Sequence, residues 1–357
     1  MSVKTDENKK SPGATLYEIV RRKLLDLVET EHLSILPSEN ELMERFDVSR
    51  NTLRRAVSEL TKEGILQPMR GIGTLVHPVS GLKEDSRILL IYDVSMPVYQ
   101  QEMFRKLLYC LGKSKLRTNV LMLDKENVDV PILESYLREC DAVIVDMLCS
   151  FSPVIREHVA KCGKKRICLR WDATGFNLSS AETDIEKGCF LLMRHLLSLG
   201  HRRVIYLGCD DPVRRAGFVR ALKEQRLPGT ALREILLDVD HSVCERENGM
   251  RLARKLLAEL DGETAVIANN DAIALCAEEL LLSSGFRIPE DISVAGFDGI
   301  SESASFPVPL TTCSGNLDAL IQEAIAYLFS SRKPNELFYR KIEPELILRR
   351  STGPAKV

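Results

Sequence analysis

The sequence predicts an α/β protein: a two-lobed sensor domain built on doubly wound parallel sheets, preceded by a small winged helix-turn-helix domain. After residue 86, short apolar runs alternate with helical patterns, which is typical of parallel sheets covered by helices. Before residue 78, three amphipathic helical patterns are followed by two short strand patterns near glycines. The 357 residues are enough for one small and one large domain.

Composition narrows the class of protein. Hydrophobic residues make up 45% of the chain, no run of about eighteen apolar residues occurs, and the polar, Lys-rich start lacks the apolar core of a signal peptide, so we expect a cytoplasmic protein. The ten cysteines form no C-x-x-C pair, which favours reduced thiols over metal ligands. We find no G-x-S-x-G, H-E-x-x-H or Walker pattern, so we expect neither an enzyme nor a cofactor.

Two helices and a tight turn are predicted first. Apolar residues recur at helical spacing from Leu16 to Val28. After Pro37, Ser38 and Glu41 have the spacing of a capping box, in which the two side chains satisfy backbone amides at the start of a second helix. Residues 47–49 then form the turn of a helix-turn-helix.

The third helix, at residues 50–60, is the predicted recognition helix. Leu53, Ala56, Val57 and Leu60 form one buried stripe, while the arginines and polar residues lie outside it, near a predicted N-cap at Ser49. Arginine can donate two hydrogen bonds to guanine in a major groove. A solvated, Arg-rich surface helix would show the same pattern. Because residues 1–78 hold twelve Lys and Arg against twelve Asp and Glu, any positive DNA-binding surface must be local.

A β-hairpin is predicted after the third helix, which Gly64 ends. Residues 65–66 and 74–76 are the two strands, and the tip carries Arg70 and Gly71. Such a hairpin beside a recognition helix is a wing that can reach the neighbouring groove. It could equally be an ordinary turn in which glycine only supplies a positive φ.

In order and spacing, these elements resemble the winged helix-turn-helix of the GntR family of bacterial transcription factors. The resemblance covers about residues 14–77 and rests on residues 36–42, 48–54, 60–64 and 71–74. It implies a double-stranded DNA operator as the partner. It also implies DNA contacts by Asn40, which stands where Arg is common, and by Arg50, Asn51, Thr52, Arg54, Arg70 and Gly71.

Residues 78–86 contain the Pro, Gly and Ser of a linker, and we predict the sensor domain at 87–350. One of its helices should run from Ile185 to Leu199, before Gly200. Its predicted strands are Arg87–Tyr92, Asn119–Leu123, Ala142–Val145, Arg166–Leu169, Val204–Leu207, Ile235–Leu237, Ala265–Ala268 and Ile292–Ala295.

Polar residues follow most of these strands, where ligands bind in open α/β sheets. Their carboxylates and amides can hydrogen-bond to a polyhydroxylated ligand. Asn270 and Asp271 could instead cap a helix, and Asp298 could belong to a turn. The residues in question are Asp93, Asp146, Asp172, Asp210, Asp211, Asn269, Asn270, Asp271 and Asp298.

Residues 87–350 resemble the effector domain of the LacI/GalR repressors, with the most specific matches at residues 200–204, 214–218, 268–275, 285–298 and 309–312. The resemblance implies effector contacts by Arg214, Asn270, Asp298 and Asp172. Trp171 could stack on a sugar face or simply pack in the core. Gly299 and Gly315 stand where relatives often place polar residues, so fewer polar groups converge on the ligand.

A GntR-type head joined to a LacI-type sensor resembles the arabinose-repressor-like regulators. The resemblance implies a homodimeric repressor whose operator affinity changes when a small molecule, most plausibly a sugar, closes the two lobes. No metal and no membrane contact is expected. An activator and a non-sugar effector stay open as alternatives, and a pure ligand-binding module would lack the winged helix.

Overall fold

The structure is a computed structural model of the chain that describes residues 15–30, 33, 35–69, 73–76, 82, 85–114, 116–124, 129–147, 151–237, 245–330 and 332–356. Its helices are α1 (Leu16–Thr30), α2 (Glu39–Phe46), α3 (Arg50–Lys62), α4 (Val98–Lys113), α5 (Val130–Glu139), α6 (Pro153–Lys161), α7 (Ile185–Ser198), α8 (Pro212–Glu224), α9 (Glu245–Glu259), α10 (Asp271–Ser283) and α11 (Leu317–Phe329). Its strands are β1 (Leu66–Met69), β2 (Gly73–Val76), β3 (Arg87–Asp93), β4 (Arg117–Leu123), β5 (Ala142–Asp146), β6 (Lys165–Leu169), β7 (Ser179–Thr183), β8 (Val204–Gly208), β9 (Leu232–Leu236), β10 (Ala265–Ala268), β11 (Ser293–Asp298), β12 (Thr311–Ser314), β13 (Tyr339–Ile342) and β14 (Glu345–Ile347).

Three helices and a hairpin form the N-terminal domain. Apolar side chains of α1, α2, α3 and the hairpin pack into one core, in which Leu24, Leu53 and Leu66 are almost fully buried. β1 and β2 are antiparallel, with Leu66 opposite Val76, which confirms the predicted hairpin. Its tip, residues 70–72, lies outside the described residues.

The capping signals place α2 and α3 as predicted. The Ser38 hydroxyl accepts a hydrogen bond from the Glu41 amide at 3.3 Å, and the Glu41 carboxylate accepts one from the Ser38 amide at 2.8 Å. Asp47, with φ of +51°, ends α2. Ser49 caps α3 by accepting a hydrogen bond from the Thr52 amide at 3.3 Å. The predicted helix-turn-helix is therefore confirmed.

The start of α1 differs from the prediction. Leu16 and Ile19, which we expected on the buried face, are 58% and 38% exposed. Val20 and Leu24 are buried. The buried stripe of α1 therefore begins about one turn later than the sequence pattern suggests.

Contacts within the chain divide it into two compact units. Unit 1 comprises residues 1–92, 107–180 and 321–338, and unit 2 comprises residues 93–106, 181–320 and 339–357. α4 and α11 each begin in unit 2 and end in unit 1, whereas β7 begins in unit 1 and ends in unit 2. Each unit is therefore built from discontinuous segments.

In unit 1, the strands β6, β5, β3 and β4 are neighbours in that order. β3 is parallel to β5, and β5 is parallel to β6. Leu89, Val143 and Cys168 from the sheet pack with Leu133 of α5 and Ile155 of α6. The carboxyl ends of β5 and β6 therefore lie side by side, at Asp146 and Leu169.

In unit 2, six strands form a sheet in the order β14-β12-β11-β10-β8-β9. Neighbours are parallel except β12 and β14, which are antiparallel. Leu192, Tyr206, Phe218 and Phe297 belong to its core. Strand order departs from chain order in both units, as helical crossovers require, so the predicted doubly wound, two-lobed fold is confirmed.

The predicted strands are all present, but four strands were missed. β9 ends at Leu236 and begins at Leu232, earlier than predicted. β7, β12, β13 and β14 were not predicted because they have three to five residues each and are rich in Ser, Thr and charged residues. Most of the predicted linker at 78–86 lies outside the described residues, so the domain boundaries stay predictions. In the part of the chain described here, no helix has the length and apolar character needed to cross a membrane.

Candidate DNA interface and effector site

α3 buries its apolar stripe and exposes its arginines. Leu53, Ala56 and Leu60 are at most 1% exposed. The side chains of Arg50 and Arg54, at the amino end of the helix, are 52% and 61% exposed. The helix therefore presents guanidinium groups to the surroundings at the end that enters a major groove in recognition helices.

Glu39, which the sequence analysis treated only as part of the cap of α2, holds both arginines. Arg54 donates to its carboxylate through Nε at 2.8 Å and Nη2 at 3.1 Å. Arg50 Nε lies 3.6 Å from the same carboxylate. The hydrogen bond from Arg54 is the largest of the effects that lower the pKa of Glu39. Glu39 therefore fixes two side chains of the polar face before DNA is present.

The other predicted DNA contacts lie around this ion pair. Asn40 accepts a hydrogen bond from Arg50 Nη2 at 3.0 Å, and the Thr52 hydroxyl lies 2.9 Å from the Ser49 hydroxyl. Asn51 is exposed in the first turn of α3. The structure thus brings Asn40, Arg50, Asn51, Thr52 and Arg54 together at one end of α3. Arg70 and Gly71 lie outside the described residues.

In unit 2, Arg214 is a buried cation at the start of α8. Its Nε lies 3.2 Å from Oδ2 of Asp211, the N-cap of α8, at a geometry that fits an ion pair but not a hydrogen bond. Its guanidinium carbon lies 4.6 Å from the centre of the Phe297 ring. Burial acts to lower the pKa of Arg214, but nearby groups, including Asp298 and Asp211, outweigh it, so the pKa is raised. Arg214 is therefore charged and held rigidly near the carboxyl end of β11.

Asn270 caps α10, one of the two roles left open by the sequence. Its Oδ1 accepts a hydrogen bond from the Ile273 amide at 2.9 Å. Its Nδ2 donates to Glu245 of α9 at 2.8 Å, and Glu245 also accepts from the Val98 amide at 3.1 Å. Capping orients the amide of Asn270 without consuming its second N–H donor. Asn270 therefore has a structural role, and its effector contact stays a prediction.

Asp298 ends β11 with a φ of +114°, a left-handed conformation that side chains other than glycine rarely adopt. The loop after it is fixed by Asp271, which is fully buried and accepts hydrogen bonds from the Ile300 amide at 2.9 Å and the Thr312 hydroxyl at 2.5 Å. A side chain at Gly296 would collide with the Asp271 carboxylate at 2.3 Å. Asp271 is therefore a structural residue that supports the backbone of Asp298.

Gly315, which lacks the polar side chain common in relatives, lies against Tyr99 of α4. A Cβ atom at Gly315 would approach the Tyr99 hydroxyl to 2.5 Å. The carbonyl of Gly315 accepts a hydrogen bond from the Thr183 hydroxyl at 2.8 Å. Tyr99 therefore occupies the space of the missing side chain, a substitution that the sequence pattern around Gly315 could not reveal.

In unit 1, Trp171 and Asp172 follow β6. The Trp171 ring lies 5.4 Å from the Phe176 ring and packs partly against the core, so the packing role left open by the sequence is present. Asp172 is exposed, and its Oδ1 accepts hydrogen bonds from the Thr174 amide at 2.9 Å and hydroxyl at 2.7 Å. Asp172 therefore stabilises the turn at residues 172–174.

Arg170, which the sequence analysis did not select, is the charged residue nearest the end of β6. Its Nε and Nη2 donate to the two carboxylate oxygens of Asp146 at 2.7 and 2.8 Å. The Asp146 side chain is 2% exposed and that of Arg170 is 19% exposed. Only the polar residue after β5 was flagged by its position; its partner was not, because arginine is an unusual ending for a buried strand.

Two domain families match this chain. Residues 12–76 match the bacterial regulatory proteins of the gntR family, and residues 193–352 match the periplasmic binding protein-like domain. The chain joins a GntR-type DNA-binding domain to a periplasmic-binding-protein-like domain. The GntR-type match includes α2, α3 and the hairpin, and the second match includes Arg214, Asn270 and Asp298.

Relatives of known role share this organisation. The arabinose metabolism transcriptional repressor of Geobacillus stearothermophilus is 28% identical over 89% of this chain and 91% of its own length. The HTH-type transcriptional repressor PurR of Mannheimia succiniciproducens is 29% identical over 66% of this chain and 68% of its own length. The GntR-type and periplasmic-binding-protein-like domains together make this chain a DNA-binding transcriptional regulator.

Solved structures support the fold of the periplasmic-binding-protein-like domain. A LacI family regulator from Enterococcus faecium, solved with bound ribose, is 24% identical with a TM-score of 0.63, and the match covers 75% of this chain and all of that chain. The lac repressor dimer bound to operator is 20% identical with a TM-score of 0.61, over 76% of this chain and 95% of that one. At these identities the likeness shows the fold alone.

Proposed function

We propose that this regulator is a homodimeric repressor that binds an operator through α3 and its wing and is released or modulated by a sugar. The observation that carries the proposal is the exposed, Glu39-held pair of arginines at the amino end of α3, in a domain of the GntR family. The relative's name, an arabinose metabolism repressor, and the bound ribose in a LacI family structure support a sugar as effector.

On DNA, Arg54 exchanges Glu39 for a base. Both side chains of this ion pair are largely exposed, and exposed pairs contribute little to stability. A bidentate contact to guanine contributes more than such a pair. We therefore infer that Arg54 leaves Glu39 when a guanine is in reach and stays with it on other sequences. Asn40, Arg50, Asn51 and Thr52, with Arg70 and Gly71 of the wing, would supply the remaining base and phosphate contacts.

The effector is proposed to contact residues at the carboxyl ends of the strands. In unit 2 these are Arg214, Asn270 and Asp298, which follow β8, β10 and β11, three neighbouring strands. In unit 1 they are Trp171 and Asp172, which follow β6. An effector changes operator affinity only if it binds the arrangement that does not bind DNA more tightly than the other.

Dimerisation is proposed to bring two GntR-type heads to two half-sites. The lac repressor, whose fold the periplasmic-binding-protein-like domain shares, has been solved as a dimer bound to operator. We propose a linker at residues 78–86 between a head at 14–77 and a sensor at 87–350. The two heads would then bind a palindrome whose half-sites are about one or more helical turns apart.

Selection of duplexes from a randomised pool by the full chain tests the proposal. We expect a palindromic sequence to be enriched, and a mobility-shift assay to show that arabinose, ribose or glucose weakens binding to it. Sedimentation of the complex should give two chains per duplex. Enrichment of no sequence would rule out the regulator, whereas a sugar that tightens operator binding would favour a corepressed or activating mechanism.

A further inference from the structure

Two unfavourable features coincide at Arg170, at the carboxyl end of β6. Its backbone has a φ of +65°, the left-handed region that non-glycine residues avoid. Its side chain forms an ion pair with a carboxylate that is almost completely buried, which incurs a desolvation cost. Strained backbone and buried charge persist together mainly where a side chain must be placed for function.

The ion pair fixes the guanidinium in one orientation. Two parallel hydrogen bonds from Arg170 to Asp146, at 2.7 and 2.8 Å, define the plane of the group. Both residues stand at the ends of neighbouring parallel strands, β5 and β6. Arginine has five N–H donors, and Asp146 uses two of them. The pair is therefore a preorganised donor supported by a buried partner, the construction expected of a binding site.

The charges at each edge disfavour an anionic ligand. Arg170 is offset by Asp146, and Asp93 and Asp172 follow other strand ends of unit 1. In unit 2, Arg214 is offset by Asp211, and Asp298 stands at the next strand end. Each arginine thus supplies hydrogen-bond donors without net positive charge, while unmatched carboxylates repel anions and accept hydroxyl protons.

We propose that Arg170, positioned by Asp146, contacts the effector and that the effector is an uncharged sugar rather than a phosphorylated or acidic one. The inference rests on the proposed function and adds to it a residue and a class of ligand. Arg170 donates to a ring, carbonyl or hydroxyl oxygen of the sugar. Asp146 cancels its charge, so that a phosphate ester gains no attraction from the arginine and is repelled by the surrounding carboxylates.

Calorimetry on the full chain with matched pairs of probes tests this. The probes are L-arabinose, D-ribose and D-glucose with arabinose 5-phosphate, ribose 5-phosphate and glucose 6-phosphate. We expect at least one neutral sugar to bind and its ester to bind about tenfold more weakly or worse. Arg170→Gln should lower affinity for that sugar about tenfold or more, because a hydrogen bond from a charged donor is lost.

Asp146→Asn provides the readout that a purely structural ion pair would not give. It leaves Arg170 charged but uncompensated, so the preference for the sugar over its ester should fall about tenfold. Arg287→Gln is the matched control: Arg287 forms a bidentate pair with Asp291 at 2.8 Å, ahead of β11 and away from the carboxyl ends of the strands. It should leave both affinities unchanged.

Three outcomes overturn the inference: an ester that binds as tightly as its sugar, no binding of any neutral probe, or wild-type sugar affinity in Arg170→Gln. If Arg170→Gln does not fold, Arg170→Lys, which keeps the charge but not the fork, should show the same loss. Operator binding is measured on every variant. A wild-type chain that binds no operator refutes the proposed function, whereas normal operator binding with an unselective sugar site refutes only this inference.

Discussion

At the scale of single residues, Arg54 makes one of two contacts that exclude each other, with Glu39 or with a base. We expect Arg54→Ala to weaken operator binding about ten- to a hundredfold, because a bidentate base contact is lost. Sugar affinity should not change, since the residue lies in the GntR-type domain. Mobility shifts and calorimetry measure the two quantities. Operator affinity equal to that of the wild type would mean that α3 is not the recognition helix.

Glu39 should act on specificity more than on affinity. In Glu39→Ala the two arginines lose the partner that holds them away from phosphates. We expect binding to random DNA to increase and the ratio of operator to random affinity to fall. Glu59→Ala is the control, because Glu59 is also paired on α3, but with Lys62 at the carboxyl end. An equal change in both variants would show that only net charge matters.

Arg214 and Asp298 should separate sensing from DNA binding. We expect Arg214→Ala and Asp298→Ala to bind operator normally and to respond weakly or not at all to sugar, because each removes a polar group from the proposed effector site. Titration of the operator complex with sugar measures the response. Wild-type responses in both variants would place the effector elsewhere.

At the scale of elements, α10 contains a buried carboxyl group that the proposed mechanism does not use. Both oxygens of Glu278 are buried without a hydrogen-bond partner among the residues described here. Burial, and to a smaller extent the charge of Asp271, raises its pKa to about 8. The folded protein therefore keeps a proton on Glu278 that the unfolded chain releases above its ordinary pKa.

The sign of the pH effect follows from linkage. Between the ordinary pKa of glutamate, about 4.3, and the raised value, the folded state binds more protons, so its stability falls as pH rises. We expect the melting temperature to fall from pH 6 to pH 8 and Glu278→Met to flatten this dependence. Glu279→Gln, on the exposed side of α10, should keep it. An unchanged slope in Glu278→Met would show that this group does not titrate in that range.

The elements that the sequence predicted are those whose apolar pattern and caps are local. The capping box at Ser38 and Glu41 placed α2, and the apolar runs of β5 and β10 placed central strands. β12 was missed because Thr311 and Thr312 are buried by their neighbours rather than by their own character. The positions of the site followed from strand ends. Its ion pairs, Glu39 with Arg54 and Asp146 with Arg170, did not, because only the fold joins residues so far apart.

At the scale of the whole molecule, the GntR-type domain has a complete core of its own. We expect a fragment of residues 1–79 to fold, because Leu24, Leu53 and Leu66 are already buried within it. It should bind a palindromic operator about a hundredfold or more weakly than the full chain, because tethering two heads raises their effective concentration. Circular dichroism and mobility shifts at one salt concentration test both points. Equal affinities would mean that the sensor does not position two heads.

The division of the chain into discontinuous units constrains how such a protein can be recombined. The polypeptide passes from one unit to the other after Tyr92, Lys106, Ser180, Leu320 and Phe338. Exchanging one lobe for a homologous lobe would need several simultaneous crossovers, two of them inside the helices α4 and α11. A GntR-type head is attached by a single connection, so one crossover can replace it. Genetic exchange should therefore redirect this sensor to new operators far more readily than it can assemble a new sensor from mixed lobes.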